Sequence, residues 1–127
     1  MRVGILTLLV LFAFGCKGDD VDPDFGTGDV RIRIWNDTEY VMNDIFVDTG
    51  GGENDYGELS SFDKSVYMRY NSAYRYAFVS FKIKGKAYTI QPIDYVGEEP
   101  LAKGKYTYRL SVDNLNSTYA ILEFIED

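Results

Sequence analysis

The chain has 127 residues, 20 Asp plus Glu against 13 Lys plus Arg, and a net charge of −7. One small domain fits this length. A single cysteine and the absence of histidine exclude an internal disulfide, a thiolate metal cluster, His-ligated zinc or haem, and every mechanism that needs an imidazole.

In chain order, residues 1–15 come first. Arg2 is a positive start, residues 3–14 are apolar apart from Gly4 and Thr7, and Gly15-Cys16 closes the run. The run is shorter than the roughly 20 residues of a transmembrane helix and has the length of a secretory signal core. The stretch Ala13-Phe14-Gly15-Cys16 resembles the lipobox of bacterial lipoproteins, with Ala13 where that family usually has Leu. The resemblance implies lipidation at Cys16, which becomes the mature N-terminus. The partner it implies is a membrane held through acyl chains, each buried methylene contributing about 0.8 kcal/mol.

Lys17-Gly18-Asp19-Asp20 follows. A Lys and paired acids directly behind the lipidated cysteine resemble the export signal of surface-exposed lipoproteins of Bacteroidetes, with Lys17, Asp19 and Asp20 as its residues. The implied location is the outer membrane, facing the cell exterior. A periplasm-facing lipoprotein is the alternative if these residues are only a solvated acidic tether. Residues 17–29 hold five Asp, three Gly and one Pro, too little apolar surface to order themselves. Residues 16–28 are therefore expected to be a flexible acidic tether. Asp20, Asp22, Asp24 and Gly26 do not follow a calcium loop, because Phe25 stands where the loop needs Gly and Arg31 where it needs a bidentate Glu. No metal or other cofactor is expected.

Residues 29–127 read as strands with period-2 alternation. Val30, Ile32 and Ile34 alternate with Arg31, Arg33 and Trp35, and Ile45 and Val47 with Asp44 and Phe46. Val66, Met68 and Tyr70 alternate with Tyr67 and Arg69. Ala77, Val79, Phe81 and Ile83 alternate with Tyr76, Phe78, Ser80 and Lys82, and Tyr106, Tyr108, Leu110 and Val112 with Lys105, Thr107, Arg109 and Ser111. The last run, residues 118–125, is apolar on both faces until Glu123 and is expected in a central or well-covered position. Asn36-Asp37-Thr38, the run from Gly50 to Asp55, Lys84-Gly85-Lys86 and the run from Asp113 to Ser117 supply turn chemistry. Gly50, Gly51 and Gly52 read as a mobile hairpin loop, and residues 58–64 as at most one helical turn.

The expectation is an all-β fold, an antiparallel Greek-key sandwich of about seven strands. The run from Leu101 to Tyr108 has the form of a tyrosine corner, with Tyr106 as its tyrosine and Gly104 allowing the bend. Residues 30–126 resemble the immunoglobulin-like or transthyretin-like sandwiches of Bacteroidetes lipoproteins.

The acid pairs Asp37/Glu39, Asp55/Glu58 and Glu98/Glu99 fall in or beside loops, where carboxylates are solvated, so no enzymatic activity is expected. Nucleic acid is not an expected partner: the mature charge is −8, and along the sequence no basic cluster exceeds Lys82, Lys84 and Lys86. That trio reads as charges alternating along one strand face, which is how proteins blunt an exposed sheet edge. Eighteen aromatic residues follow the signal segment. Trp35, Tyr67, Arg69, Tyr74 and Tyr76 form the candidate binding surface, because Tyr and Trp combine an apolar body with a polar tip and such a row can stack on sugar rings or on a partner's side chains. The function expected is a non-enzymatic binding or adhesion module, with a glycan or protein as partner. The alternative is a structural accessory of an envelope complex or fibre, held by edge-strand pairing.

Overall fold

The computed structural model describes residues 26–92, 95 and 97–127. The signal segment, Cys16, Lys17, Asp19 and Asp20 lie outside the described residues. Eight strands run in order: β1 (Val30–Asn36), β2 (Met42–Asp48), β3 (Glu53–Leu59), β4 (Met68–Tyr70), β5 (Phe78–Ile83), β6 (Lys86–Ile90), β7 (Gly104–Val112) and β8 (Ala120–Glu126). They form two four-stranded sheets, ordered β4-β1-β7-β8 and β3-β2-β5-β6. Every pairing is antiparallel except β1 with β7, which runs parallel over seven residue pairs. No helix among the described residues is long and apolar enough to cross a membrane.

The alternation read from sequence sets the two inner faces. Val30, Ile32 and Ile34 of β1, Val79, Phe81 and Ile83 of β5, and Tyr106, Tyr108 and Leu110 of β7 are buried between the sheets. Each fully buried large side chain contributes about 1.5–3 kcal/mol. In β2 the buried residues are Met42, Ile45 and Val47, and the spacing of three between the first two breaks strict alternation. A bulge resolves the conflict: the register shifts between Met42 and Phe46, and Asp44 takes a positive φ of 51° with its side chain exposed.

Tyrosine fills much of this core, and its hydroxyls find partners. Tyr56 Oη donates to the Ile32 carbonyl at 2.8 Å and lies 2.7 Å from Tyr70 Oη. Tyr108 Oη donates to the Tyr74 carbonyl at 2.6 Å, and Tyr88 Oη to the Leu115 carbonyl at 3.0 Å. Burial pushes the Tyr70 phenol up to about 12 and lifts Tyr56 and Tyr108 well above the ordinary range, so these groups stay neutral donors. Tyr106 Oη donates to the Ala102 carbonyl at 2.7 Å, the bond a tyrosine corner makes. Gly104 opens β7 with a φ of 154°.

At the end of β1 the buried Asn36 ties three segments together. Its Nδ2 donates to the carbonyls of Tyr40, Leu59 and Ser60, and its Oδ1 accepts from the Thr38 amide and hydroxyl. A buried polar group is tolerated when it is satisfied in this way.

The structure corrects several expectations. Among the described residues there are eight strands: β3 takes the second half of the expected loop and the start of the expected helical turn, and it shows few apolar residues because only Tyr56 and Leu59 face inward. The last strand, β8, is an edge and not a central strand, with Tyr119 74% and Ile121 47% exposed. The Gly50–Gly52 loop is pinned. Gly51 pairs with Ser72, and a Cβ on Gly51 would come within 2.0 Å of Ser72 Oγ. Part of the expected tether is docked, since Gly26 pairs with Arg69 and a Cβ on Gly28 would meet the Tyr70 carbonyl oxygen at 2.0 Å. The lysine trio does not line one strand face. Lys82 is on β5, Lys84 is in the turn, and Lys86 on β6 donates to the Leu115 carbonyl at 2.6 Å.

Candidate functional site: a basic outer sheet face

The outer face of the β4-β1-β7-β8 sheet gathers cations that are scattered in sequence. Arg31 stands in register with Arg69 of β4 on one side and Lys105 of β7 on the other. Two residues further along β1, Arg33 is level with Thr107, and Trp35 is level with Arg109. Lys64 bridges to Trp35 from the β3–β4 connection, and Lys103 precedes β7. Seven cations thus share this face or its rim, in a chain of net charge −7.

Two aromatic rings hold part of the array in place. Lys64 Nζ lies 4.6 Å from the Trp35 ring centroid and the Arg109 guanidinium 4.8 Å. The Arg33 guanidinium and Lys105 Nζ each lie 4.9 Å from the Tyr67 ring. Such contacts contribute about 0.5–1 kcal/mol each at exposed sites, and they orient long side chains that would otherwise sample many rotamers.

Carboxylates order the far half of the face. Arg109 is clamped between Asp37, with Nη2 to Oδ2 at 2.6 Å, and Glu123, with Nη1 to Oε1 at 2.8 Å. Asp127 Oδ2 accepts hydrogen bonds from Tyr67 Oη and Thr107 Oγ1, both at 2.6 Å, and Arg33 Nε lies 3.7 Å away. Partial burial acts to raise the Asp127 pKa. The hydrogen bonds from Thr107 and Tyr67 and the attraction of Arg33 and Lys64 outweigh it, so the net shift is downward.

The near half of the face holds a pocket. It measures about 250 Å³ and is lined by Asp29, Arg31, Arg69, Lys103, Gly104 and Lys105, four cations with one carboxylate. Arg69 Nη1 donates to the Gly28 carbonyl at 3.0 Å, which fixes its guanidinium at the pocket wall.

The structure divides the five residues expected to form the binding surface. Trp35, Tyr67 and Arg69 share the basic face. Tyr74 and Tyr76 lie in the β4–β5 connection, where they stack on Tyr95 at centroid distances of 4.3 and 5.4 Å. The rings of Trp35 and Tyr67 are covered by cations and are not open platforms for a sugar, which corrects the stacking expectation. Sequence reasoning missed Arg31, Arg33, Lys64, Lys103, Lys105 and Arg109. The alternation of Arg31 with Arg33 on β1 and of Lys105 with Arg109 on β7 was visible, but the pairing of β1 with both β4 and β7 was not.

No protein-family model and no curated protein matches the sequence. The chain is similar in fold to an NMR structure of a protein from Eubacterium rectale, at 20% identity and a TM-score of 0.52, over 76% of this chain and 94% of that one. At this identity the likeness is one of fold alone, a small, mostly β domain.

Proposed function

We propose that the chain is a non-enzymatic binding module, anchored to the outer membrane through a lipid on Cys16 and facing the cell exterior, that meets an anionic partner with the outer face of the β4-β1-β7-β8 sheet. The observation that carries this reading is the collection of Arg31, Arg33, Lys64, Arg69, Lys103, Lys105 and Arg109 on one face of an acidic chain. Such a field steers anions toward the face and raises their association rate.

The test is binding of the full chain, in detergent, to an array of neutral and acidic glycans. Retention on acidic glycans supports the reading. No retention, or a preference for neutral ones, contradicts it. Protease treatment of intact cells addresses the location: loss of the domain supports exposure to the exterior, and survival favours a periplasm-facing lipoprotein.

A second reading, a structural accessory held by strand addition, is favoured by the edge position of β8 with Tyr119 and Ile121 exposed. It predicts self-association of the full chain in sedimentation, lost in an Ile121→Lys variant.

A further inference from the structure

We infer that the pocket beside the tyrosine corner is a binding site for a basic amino acid: a lysine or arginine that presents a free α-carboxylate, either alone or as the last residue of a peptide. This pocket shares no residue with the basic sheet face, and its ligand is independent of what that face meets.

The pocket measures about 390 Å³, within the range of small-molecule sites. Its floor is apolar. Tyr106 and Phe124 stack with ring centroids 5.4 Å apart, and Leu101 packs against the same core. Two hydrogen bonds fix this floor. The Leu101 amide donates to the Ala73 carbonyl at 2.8 Å, and Tyr106 Oη donates to the Ala102 carbonyl at 2.7 Å. A floor ordered before the ligand arrives adds little to the entropic cost of binding.

The rim carries both signs of charge. Arg75 comes from the β4–β5 connection, Glu98 and Glu99 from the β6–β7 connection, and Glu126 from the end of β8. Glu126 is in register with Tyr106 and lies on the same face of β8 as Phe124. The Arg75 guanidinium is 5.9 Å from the Phe124 ring centroid. Among the described residues, none of the three glutamates forms an ion pair with Arg75. Opposite charges thus border one small volume without closing on each other.

One guanidinium against three carboxylates gives the lining a charge of −2, and this inventory selects the ligand. An anion meets three like charges. A polyamine suits the glutamates but sets a cation beside Arg75. An uncharged molecule strips water from charged groups and returns no charge-assisted bond. A lysine or arginine supplies every part. Its carboxylate accepts from the planar fork of Arg75, and its cationic head meets the glutamates. Its methylene stem lies along Leu101, Tyr106 and Phe124. The free amino acid adds an α-ammonium for a further carboxylate.

The test is an amide chemical-shift titration of the isotope-labelled full chain in detergent. The probes are L-lysine, Nα-acetyl-L-lysine, L-lysine amide, cadaverine and L-leucine. L-Lysine is expected to shift residues 97–102 and 124–126 saturably. Lysine amide and cadaverine lack the carboxylate, and leucine lacks the cationic head, so each should bind at least about tenfold more weakly. Nα-acetyl-L-lysine mimics a peptide C-terminus: equal binding assigns the site to that source, and weaker binding assigns it to the free amino acid. Arg75→Gln should lose about tenfold for L-lysine and nothing for cadaverine. Glu98→Gln/Glu99→Gln should lose about tenfold for both, and Lys82→Gln, on the other sheet, should lose nothing. All four substituted residues are exposed, so the fold is expected to survive, checked by circular dichroism. No saturable shift with L-lysine or its acetyl derivative, or shifts centred outside the pocket, overturns the site. Equal binding of cadaverine overturns the carboxylate contact, and equal binding of leucine overturns the cation contact. Unchanged affinity in both pocket variants, or an equal loss in the Lys82 variant, overturns the assignment to these residues.

Discussion

The outer faces of the two sheets are built on the same alternation and carry opposite charge. On the β4-β1-β7-β8 sheet, Arg31, Arg33, Arg69, Lys105 and Arg109 project outward, and Asp37, Glu123 and Asp127 pair with Arg109 and Arg33 at its far half. On the β3-β2-β5-β6 sheet the outward positions hold Asp44, Asp48, Glu53 and Asp55, with Lys82 as the cation and Phe46 and Phe78 in edge contact at 6.2 Å. Since both inner faces are apolar, the fold does not require this segregation. Mixed charges on each face would serve solubility equally well. A net charge of −7 describes neither face, and an argument about partners from net charge alone misses the basic one.

If the comparison is right, binding depends on one face and stability on the layer between. The largest expected effect is on binding. Reversing two charges, Arg31→Glu with Lys105→Glu, should weaken dextran sulfate binding by about a hundredfold or more at low salt, while Lys82→Glu on the opposite face leaves it nearly unchanged. Titration of both variants over a salt series checks this, and an equal loss in the two breaks the comparison.

Next is Asn36→Ala, which removes one hydrogen bond from each of the Tyr40, Leu59 and Ser60 carbonyls and takes the Asn36 oxygen from the Thr38 amide. It should cost about 2 kcal/mol of stability, read by urea unfolding, with ligand affinity unchanged under native conditions. Tyr106→Phe removes the hydroxyl bond to Ala102 and should cost about 1 kcal/mol, again without loss of affinity. A change in affinity in either variant shows that the core and the face are coupled.

The smallest effect concerns acid. The Asp127 carboxyl has a folded-state pKa below its ordinary value. Its contribution is therefore present above the ordinary carboxylate range and lost as pH falls through the lowered pKa. Asp127→Asn should reduce stability slightly at neutral pH and flatten the decline toward acid. Unfolding midpoints of the two proteins measured from neutral to acid pH check the sign.

Much of this fold was legible in the sequence because alternation encodes which residues go inside. Ile32, Ile34, Val79, Phe81, Tyr108 and Leu110 are buried where their period placed them. β3 was not legible, since a strand with two inward apolar residues and a glycine reads as a loop. β8 was placed centrally because Tyr119, Ala120, Ile121 and Leu122 are all apolar or aromatic, yet exposure at an edge depends on strand order, which composition does not carry. The basic face was hidden for the same reason. Arg31, Arg69 and Lys105 are far apart in the chain, and only the pairing of β1 with both β4 and β7 sets them abreast. Trp35 and Tyr67 were visible as surface aromatics, but the cations covering their rings come from other strands or from the connection before β4.

The central claim, that the basic sheet face meets the anionic partner, is tested most directly by amide chemical-shift mapping of the isotope-labelled full chain titrated with dextran sulfate oligomers. Shifts concentrated at Arg31, Arg33, Arg69, Lys105 and their strand neighbours are the expected result. Shifts concentrated at residues 82–86, or spread evenly over both sheets, would contradict it.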